Sequence, residues 1–185
     1  AKSDLVVSDQ RATEQCISVE YPDVVFHCAA FTNVDAAESE RTTSFAINTD
    51  GTKNVAKACT AVGARMVYFS TDYIFDGTKK SPYSTHDQAN PLSAYGESKL
   101  AGEHIAAASE VELLLVRTSW LYGATGKNFV RKVIQRAQEG RVLRLVDDQT
   151  GSPTWAEHVG EVTLDLVSHR ASGTYHITNS GEGTW

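Results

Sequence analysis

Pro22-Asp23-Val24-Val25-Phe26-His27-Cys28-Ala29-Ala30 is the stretch from which the fold can be read. Proline ends whatever precedes it. Asp23 to Ala30 is then a continuous apolar run of strand length, without the alternation of a strand that has one wet face. Such a run predicts a strand covered on both sides. Upstream, Ser8-Asp9 supplies a helix N-cap, and a helix is expected up to Tyr21, with Leu5-Val6-Val7 before it as a short strand. Downstream, residues 42–62 predict a helix with Phe45, Val55, Ala58 and Val62 facing the core and Gly63 as its C-cap.

The alternation continues. Ala64 to Ser70, containing Met66-Val67-Tyr68-Phe69, is a second buried strand; a polar stretch with Gly77, Pro82, Asn90 and Pro91 is a long loop. Ala94 to about Ser109 is a helix and Val111 to Thr118 the next strand. Beyond it a helix near 127–139, a strand over Val142–Val146, a helix near 155–169 and a strand over Thr174–Thr178 are expected. Buried strands alternating with amphipathic helices define βαβ units and an α/β doubly wound parallel sheet. In such sheets ligands bind just beyond the C-terminal ends of the strands, so residues leaving each strand carry the most information.

Composition narrows the function classes. The chain has 185 residues, 41% hydrophobic and 22% charged, with a formal net charge of −6. No basic block stands out, which argues against nucleic acid as a partner. Apolar runs are only strand length, far short of the ~20 residues of a membrane helix, and Ala1-Lys2-Ser3-Asp4 does not read as the start of a signal peptide. Cys16, Cys28 and Cys59 are odd in number and show no metal-ligand spacing, so reduced thiols in a cytoplasmic protein without a metal site are expected. The six histidines are scattered, and structural or surface roles are expected for all of them.

Three constellations fall at the strand ends. Tyr95-Gly96-Glu97-Ser98-Lys99 places a phenol and an ammonium one helical turn apart, on one face. An ammonium beside a phenol favours the phenolate and is expected to lower the tyrosine pKa into the range of proton transfer. By itself this spacing also suits an exposed surface pair. Ser70-Thr71-Asp72-Tyr73 leaves the preceding strand, where a hydroxyl can hydrogen-bond a carbonyl or a developing alkoxide; a local turn would use the same residues. Ala29-Ala30-Phe31-Thr32 closes its strand with small residues that let a flat ligand approach the backbone.

Their fixed order resembles the extended short-chain dehydrogenase/reductases, and more closely the dTDP-4-dehydrorhamnose reductase family. The resemblance runs through residues 22–40, 48–58, 70–77, 90–103, 116–123 and 147–155, in order and over nearly the whole chain. It implies a Rossmann-like fold in which residues 1–119 form part of a dinucleotide-binding domain. Residues 120–185 would be mainly a substrate-binding lobe interleaved with later elements of the first. It implies reduction of the 4-keto group of dTDP-4-dehydro-L-rhamnose with NADPH or NADH. In that reading Tyr95 donates the proton, Lys99 holds the cofactor ribose and Thr71 orients the carbonyl. Ala29, Ala30 and Thr32 would contact the cofactor, while Val34, Asp72, Tyr73, Trp120 and Asn128 would line the sugar-nucleotide pocket. For Trp120 a place in the core is the competing expectation.

The chain departs from the family at both ends. It carries no GxxGxxG phosphate-binding turn, and Gly181-Glu182-Gly183-Thr184-Trp185 stands where the family opens a further helix. The expectation is therefore a chain truncated at both ends, whose strands lack their middle partner and which is weak in cofactor binding or forms a homodimer. Competing functions are another nucleotide-sugar reductase or epimerase, and a non-catalytic binding subunit like the regulatory subunit of methionine adenosyltransferase. Thr118-Ser119-Trp120 favours the reductase over the latter.

Overall fold

The computed structural model describes residues 5–126 and 128–185. In chain order the elements are α1 (Gln10–Glu20), β1 (Val24–His27), α2 (Val34–Ser39) and α3 (Arg41–Phe45), then a π-helical turn over Ala46–Asp50. After it come α4 (Gly51–Val62), β2 (Arg65–Thr71), a 3-10 turn over Asp72–Ile74, α5 (Ala94–Ala108) and β3 (Leu113–Thr118). The remainder is β4 (Leu121–Tyr122), α6 (Phe129–Gln138), β5 (Thr150–Gly151), β6 (Thr154–Trp155), α7 (Ala156–Ser168), β7 (Gly173–His176) and β8 (Gly183–Thr184).

The chain divides into two compact units. Residues up to Arg117 together with 171–175 form one, and Thr118–Arg170 with His176–Trp185 the other. The first holds the main sheet, ordered β1-β2-β3-β7, with β1 and β2 parallel and Val24 to His27 in register with Arg65 to Tyr68. Its core gathers Ile17, Val55, Ala58, Cys59, Met66, Tyr68 and Leu115 from α1, α4, β2 and β3. The second unit carries α6, α7 and two small two-stranded ladders, β4-β6 and β5-β8.

Local chemistry sets the boundaries. Asp9 accepts a hydrogen bond from Ala12 N at 3.0 Å to start α1, which ends in the left-handed residue Tyr21 before Pro22. Gly63, at φ 74°, closes α4 in the left-handed region that glycine enters without a Cβ clash. Ser93 accepts from Gly96 N at 3.1 Å and starts α5.

Several expectations are corrected. Leu5-Val6-Val7 is not a strand: the Val7 carbonyl accepts from Thr13 Oγ1 and Asn54 Nδ2, which anchor it in a turn ahead of α1. The strand at 23–30 stops at His27, and the helix over 42–62 is broken by the π turn. Val142–Val146 is no strand; Val142, Leu145 and Val146 are 88%, 44% and 50% exposed, with no ladder to join. Gly183–Thr184 is not a helix start but pairs antiparallel with Thr150–Gly151. The four main strands do not lack a middle partner: they pair in unbroken order, leaving β1 as an edge among the described residues.

Candidate active site

β2 ends at Thr71 and passes straight into the 3-10 turn, so Thr71, Asp72 and Tyr73 stand together where the strand leaves the sheet. Thr71 caps this turn: its Oγ1 accepts from Tyr73 N at 3.2 Å and donates to Asp72 Oδ1 at 3.1 Å. The first turn of α5 is pressed against it. A Cβ on Gly96 would lie 2.2 Å from the Tyr73 carbonyl oxygen, so only glycine allows the approach. The neighbouring Tyr95 ring meets Tyr73 edge to face, with centroids 5.7 Å apart and planes at 74°.

The structure therefore brings Thr71, Asp72, Tyr73 and Tyr95 together. Burial pushes the Tyr95 phenol up to about 12, and hydrogen bonding from Thr71 opposes this, while Asp72 and Tyr73 reinforce it. Burial likewise raises the Asp72 carboxyl to about 6, against the hydrogen bonds from Thr71 and the backbone of the turn.

Lys99 behaves differently from expectation. Its Nζ donates to the Phe69 carbonyl at 2.7 Å and lies 4.2 Å over the Tyr68 ring. It is buried, and burial lowers its pKa to about 7, with Glu103 and Cys28 acting to raise it. The expected lowering of the Tyr95 pKa by Lys99 is not what the phenol experiences, because its net shift is upward and set by burial. Positions one turn apart share a helix face, but the carbonyl of β2 decides where the ammonium points.

On the adjoining strand end, Ala29 and Thr32 are exposed, and Ala30 and Val34 half-buried. Residue spacing gave no hint of what fixes this segment. Asn48, 1% exposed in the π turn, accepts from Phe31 N at 2.8 Å and donates to Phe31 O at 3.1 Å and Ser98 Oγ at 2.9 Å. Ser98 in turn donates to the Tyr95 carbonyl at 2.7 Å. One buried amide thus ties the strand-end loop to the helix of Tyr95 and Lys99. Its signal in the sequence was an asparagine at a helix start, Asn48-Thr49-Asp50-Gly51-Thr52, which equally suits a cap. π turns of this kind are frequent at functional sites.

Trp120 and Asn128 belong to the second unit. Trp120 has φ 47° and stacks on Trp185 with centroids 3.6 Å apart; Gly151 gives the indole room, since a Cβ there would sit 2.5 Å from Trp120 Cε2. Asn128 caps α6, accepting from Arg131 N at 3.0 Å and donating to Gly123 O at 2.9 Å. Its amide is engaged in local structure. Among the described residues no cluster of His, Cys, Asp and Glu could hold a metal, and no helix is long and apolar enough to cross a membrane.

A βαβ sheet with Ser-Thr leaving one strand and Tyr-x-x-x-Lys on the next helix defines a Rossmann-like α/β protein of the short-chain dehydrogenase/reductase type. The chain belongs to the RmlD substrate binding domain family, whose model matches residues 1–185. It is 43% identical over 183 residues to a dTDP-4-dehydrorhamnose reductase of Mycobacterium tuberculosis, covering 95% of this chain and 59% of that protein. It is 36% identical over 189 residues to a dTDP-4-keto-6-deoxy-D-glucose reductase of Streptomyces niveus, covering 100% and 64%. The crystal structure of dTDP-4-dehydrorhamnose reductase from Bacillus anthracis in complex with NADP superposes with a TM-score of 0.94 at 39% identity, covering 98% of this chain and 64% of that one. The chain thus spans less than two thirds of the length of these relatives.

Proposed function

We propose that the protein containing this chain reduces the 4-keto group of dTDP-4-dehydro-L-rhamnose to dTDP-L-rhamnose with NADPH or NADH, in the cytoplasm. The observation that carries the reading is the assembly of Thr71 and Tyr95 at the end of β2, with Lys99 buried one turn along the same helix. Its Streptomyces niveus and Mycobacterium tuberculosis relatives are both named as reductases of dTDP-linked sugars.

The residues present fit a nicotinamide nucleotide. Ala29 and Ala30, in the loop that follows β1, carry side chains no larger than a methyl group, and the buried Lys99 ammonium suits a ribose hydroxyl near the Tyr68 face. When bound, the nicotinamide supplies hydride to the carbonyl carbon. Everything else falls to the chain. Thr71 orients the keto oxygen by hydrogen bonding, and Tyr95 gives it the proton as negative charge develops. A phenol held near 12 stays protonated throughout the physiological range, as a proton donor in the reducing direction must. Thr32 beside the cofactor contacts, and Val34, Asp72, Tyr73, Trp120 and Asn128 along the sugar nucleotide, complete the assignment. Residues 1–119 are then part of a dinucleotide-binding domain and 120–185 mainly the substrate lobe.

The test is oxidation of NADPH by the native gene product carrying these residues, with the dTDP-keto sugar as substrate. Tyr95→Phe, which keeps the ring and deletes the proton, is expected to lower kcat by about 10²–10⁴-fold with KM little changed. Binding of NADPH and sugar nucleotide without turnover would instead make it a binding subunit.

A further inference from the structure

Lys99 and Glu103 stand one turn apart on α5, and both side chains are buried. Burial penalises the charged form of a lysine and brings Lys99 down to about 7, so the charges around it decide how much ammonium remains. Those groups come from β1, β2 and α5. His27 of β1 is neutral above about 4, and burial pushes up both the Cys28 thiol beyond β1 and the Tyr68 phenol of β2, which keep their protons at neutral pH. Tyr95, one turn before Lys99 on α5, is held near 12. Glu103 is the carboxylate among them, and it opposes the effect of burial on Lys99 more strongly than Cys28 does.

That carboxylate is fixed from the neighbouring strand. Arg117 of β3 grips it with two bonds, Nε donating to Oε1 at 3.1 Å and Nη2 to Oε2 at 2.7 Å, and the guanidinium lies 5.5 Å over the Phe75 ring. Lys99 is held from β2, its Nζ donating to the Phe69 carbonyl at 2.7 Å. Since β2 and β3 are neighbours in the sheet, the strands anchor both side chains while α5 sets their spacing. Glu103 is thus placed to serve two cations, one by direct pairing and one through the field of its charge.

We propose that Glu103 is a positioning residue for the reduction: it keeps Lys99 in its ammonium form for the cofactor ribose, with Arg117 holding the carboxylate in place. The inference rests on the reductase reading given above. Glu103 acts through Lys99 and takes no other part in the chemistry. A neutral Lys99 amine would forgo the charge-assisted hydrogen bond to the ribose, so cofactor affinity follows the charge that Glu103 maintains.

The test is a carbon NMR titration of Lys99 in the native gene product with labelled lysine, its resonance identified by loss in Lys99→Met. The wild-type midpoint is expected at about 7. Glu103→Gln should lower it by at least about one pH unit. That variant strands a buried guanidinium and can cost stability, so Glu103→Gln is also combined with Arg117→Met, which leaves no orphaned charge. The double variant should keep the lowered midpoint. If it titrates like the wild type, Glu103 serves Arg117 alone and the proposal fails. Calorimetric titration with NADP gives the second readout. Wild-type affinity should fall as pH rises through about 7, by at most about tenfold per unit, and in both variants that fall should begin about one unit lower. At pH 5, below both midpoints, all three proteins should bind NADP alike; equal weakening at pH 5 and pH 8 would mean a distorted fold and overturn the proposal. If the wild type binds no NADP at any pH, the reductase reading fails by itself, and the Lys99 midpoints still decide whether Glu103 maintains the charge.

Discussion

The His27 imidazole is buried, stacks on Tyr68 at 5.6 Å and pairs its Nε2 with Thr52 Oγ1 at 3.0 Å. Since Thr52 already donates its proton to the Asn48 carbonyl at 2.7 Å, Nε2 must be the donor, and the ring is the neutral tautomer protonated there. Burial, with Lys99 nearby, lowers its pKa from 6.5 to about 4. Below 6.5 the unfolded chain takes up a proton that the folded chain refuses. The contribution of His27 is therefore complete above 6.5 and is lost as pH falls toward about 4. Asp72, raised by burial, has the opposite sign between 3.8 and about 6, so total stability conceals both effects. The informative quantity is the difference between wild type and His27→Gln in urea unfolding. That difference should shrink by about 1.4 kcal/mol per pH unit on going from pH 6.5 to 4.5. A difference independent of pH would mean that His27 is protonated in the fold. Spacing alone made Tyr95, Lys99 and Thr71 legible as a site. It could not reveal the upward shift of Tyr95, because burial and the Phe69 carbonyl depend on how α5 docks on β2.

Helix α5 shows how one element positions the site. A Cβ at Gly96 would meet the Tyr73 carbonyl at 2.2 Å, and one at Gly102 would meet Asn48 O and Tyr68 Oη at 2.5 Å. Both contacts involve backbone that carries the site. Gly160 in α7 is the internal control, for a Cβ there has nothing within 4 Å. Helix propensity alone favours alanine over glycine at all three by about 1 kcal/mol. Gly160→Ala should therefore stabilise the chain by about 0.5–1 kcal/mol in denaturant unfolding. Gly96→Ala and Gly102→Ala should destabilise it by about 1–3 kcal/mol despite better propensity. Equal gains at all three positions would refute the close approach of α5. These glycines are visible in the sequence, but nothing in helical periodicity distinguishes a glycine under a carbonyl from one in solvent. The same applies to the missing strand at Val142–Val146. An apolar run has the composition of a strand, and a strand exists only where a neighbour pairs with it.

At the scale of the molecule, the parallel α/β architecture was legible because buried strands and amphipathic helices have different periods, and the two kept alternating through residue 118. Strand order was not, since pairing is chosen by non-local contacts; the unbroken order β1-β2-β3-β7 corrected the expectation of a gap in the middle. That order leaves β1 as an edge among the described residues. Its four residues, Val24-Val25-Phe26-His27, include neither proline nor a formally charged side chain, and Phe26 is 40% exposed. On the same unit Val19 and Tyr21 are also exposed. An uncharged, partly apolar edge is a template for pairing with a second chain, and a lysine on such a strand opposes that pairing. Expressed as these 185 residues, the protein should therefore self-associate through β1, giving a sedimentation coefficient that rises with concentration. Phe26→Lys should lower that tendency by at least about tenfold in apparent association constant, equivalent to about 1.4 kcal/mol, with its circular dichroism spectrum unchanged. Equal self-association by Phe26→Lys and wild type would place the contact elsewhere.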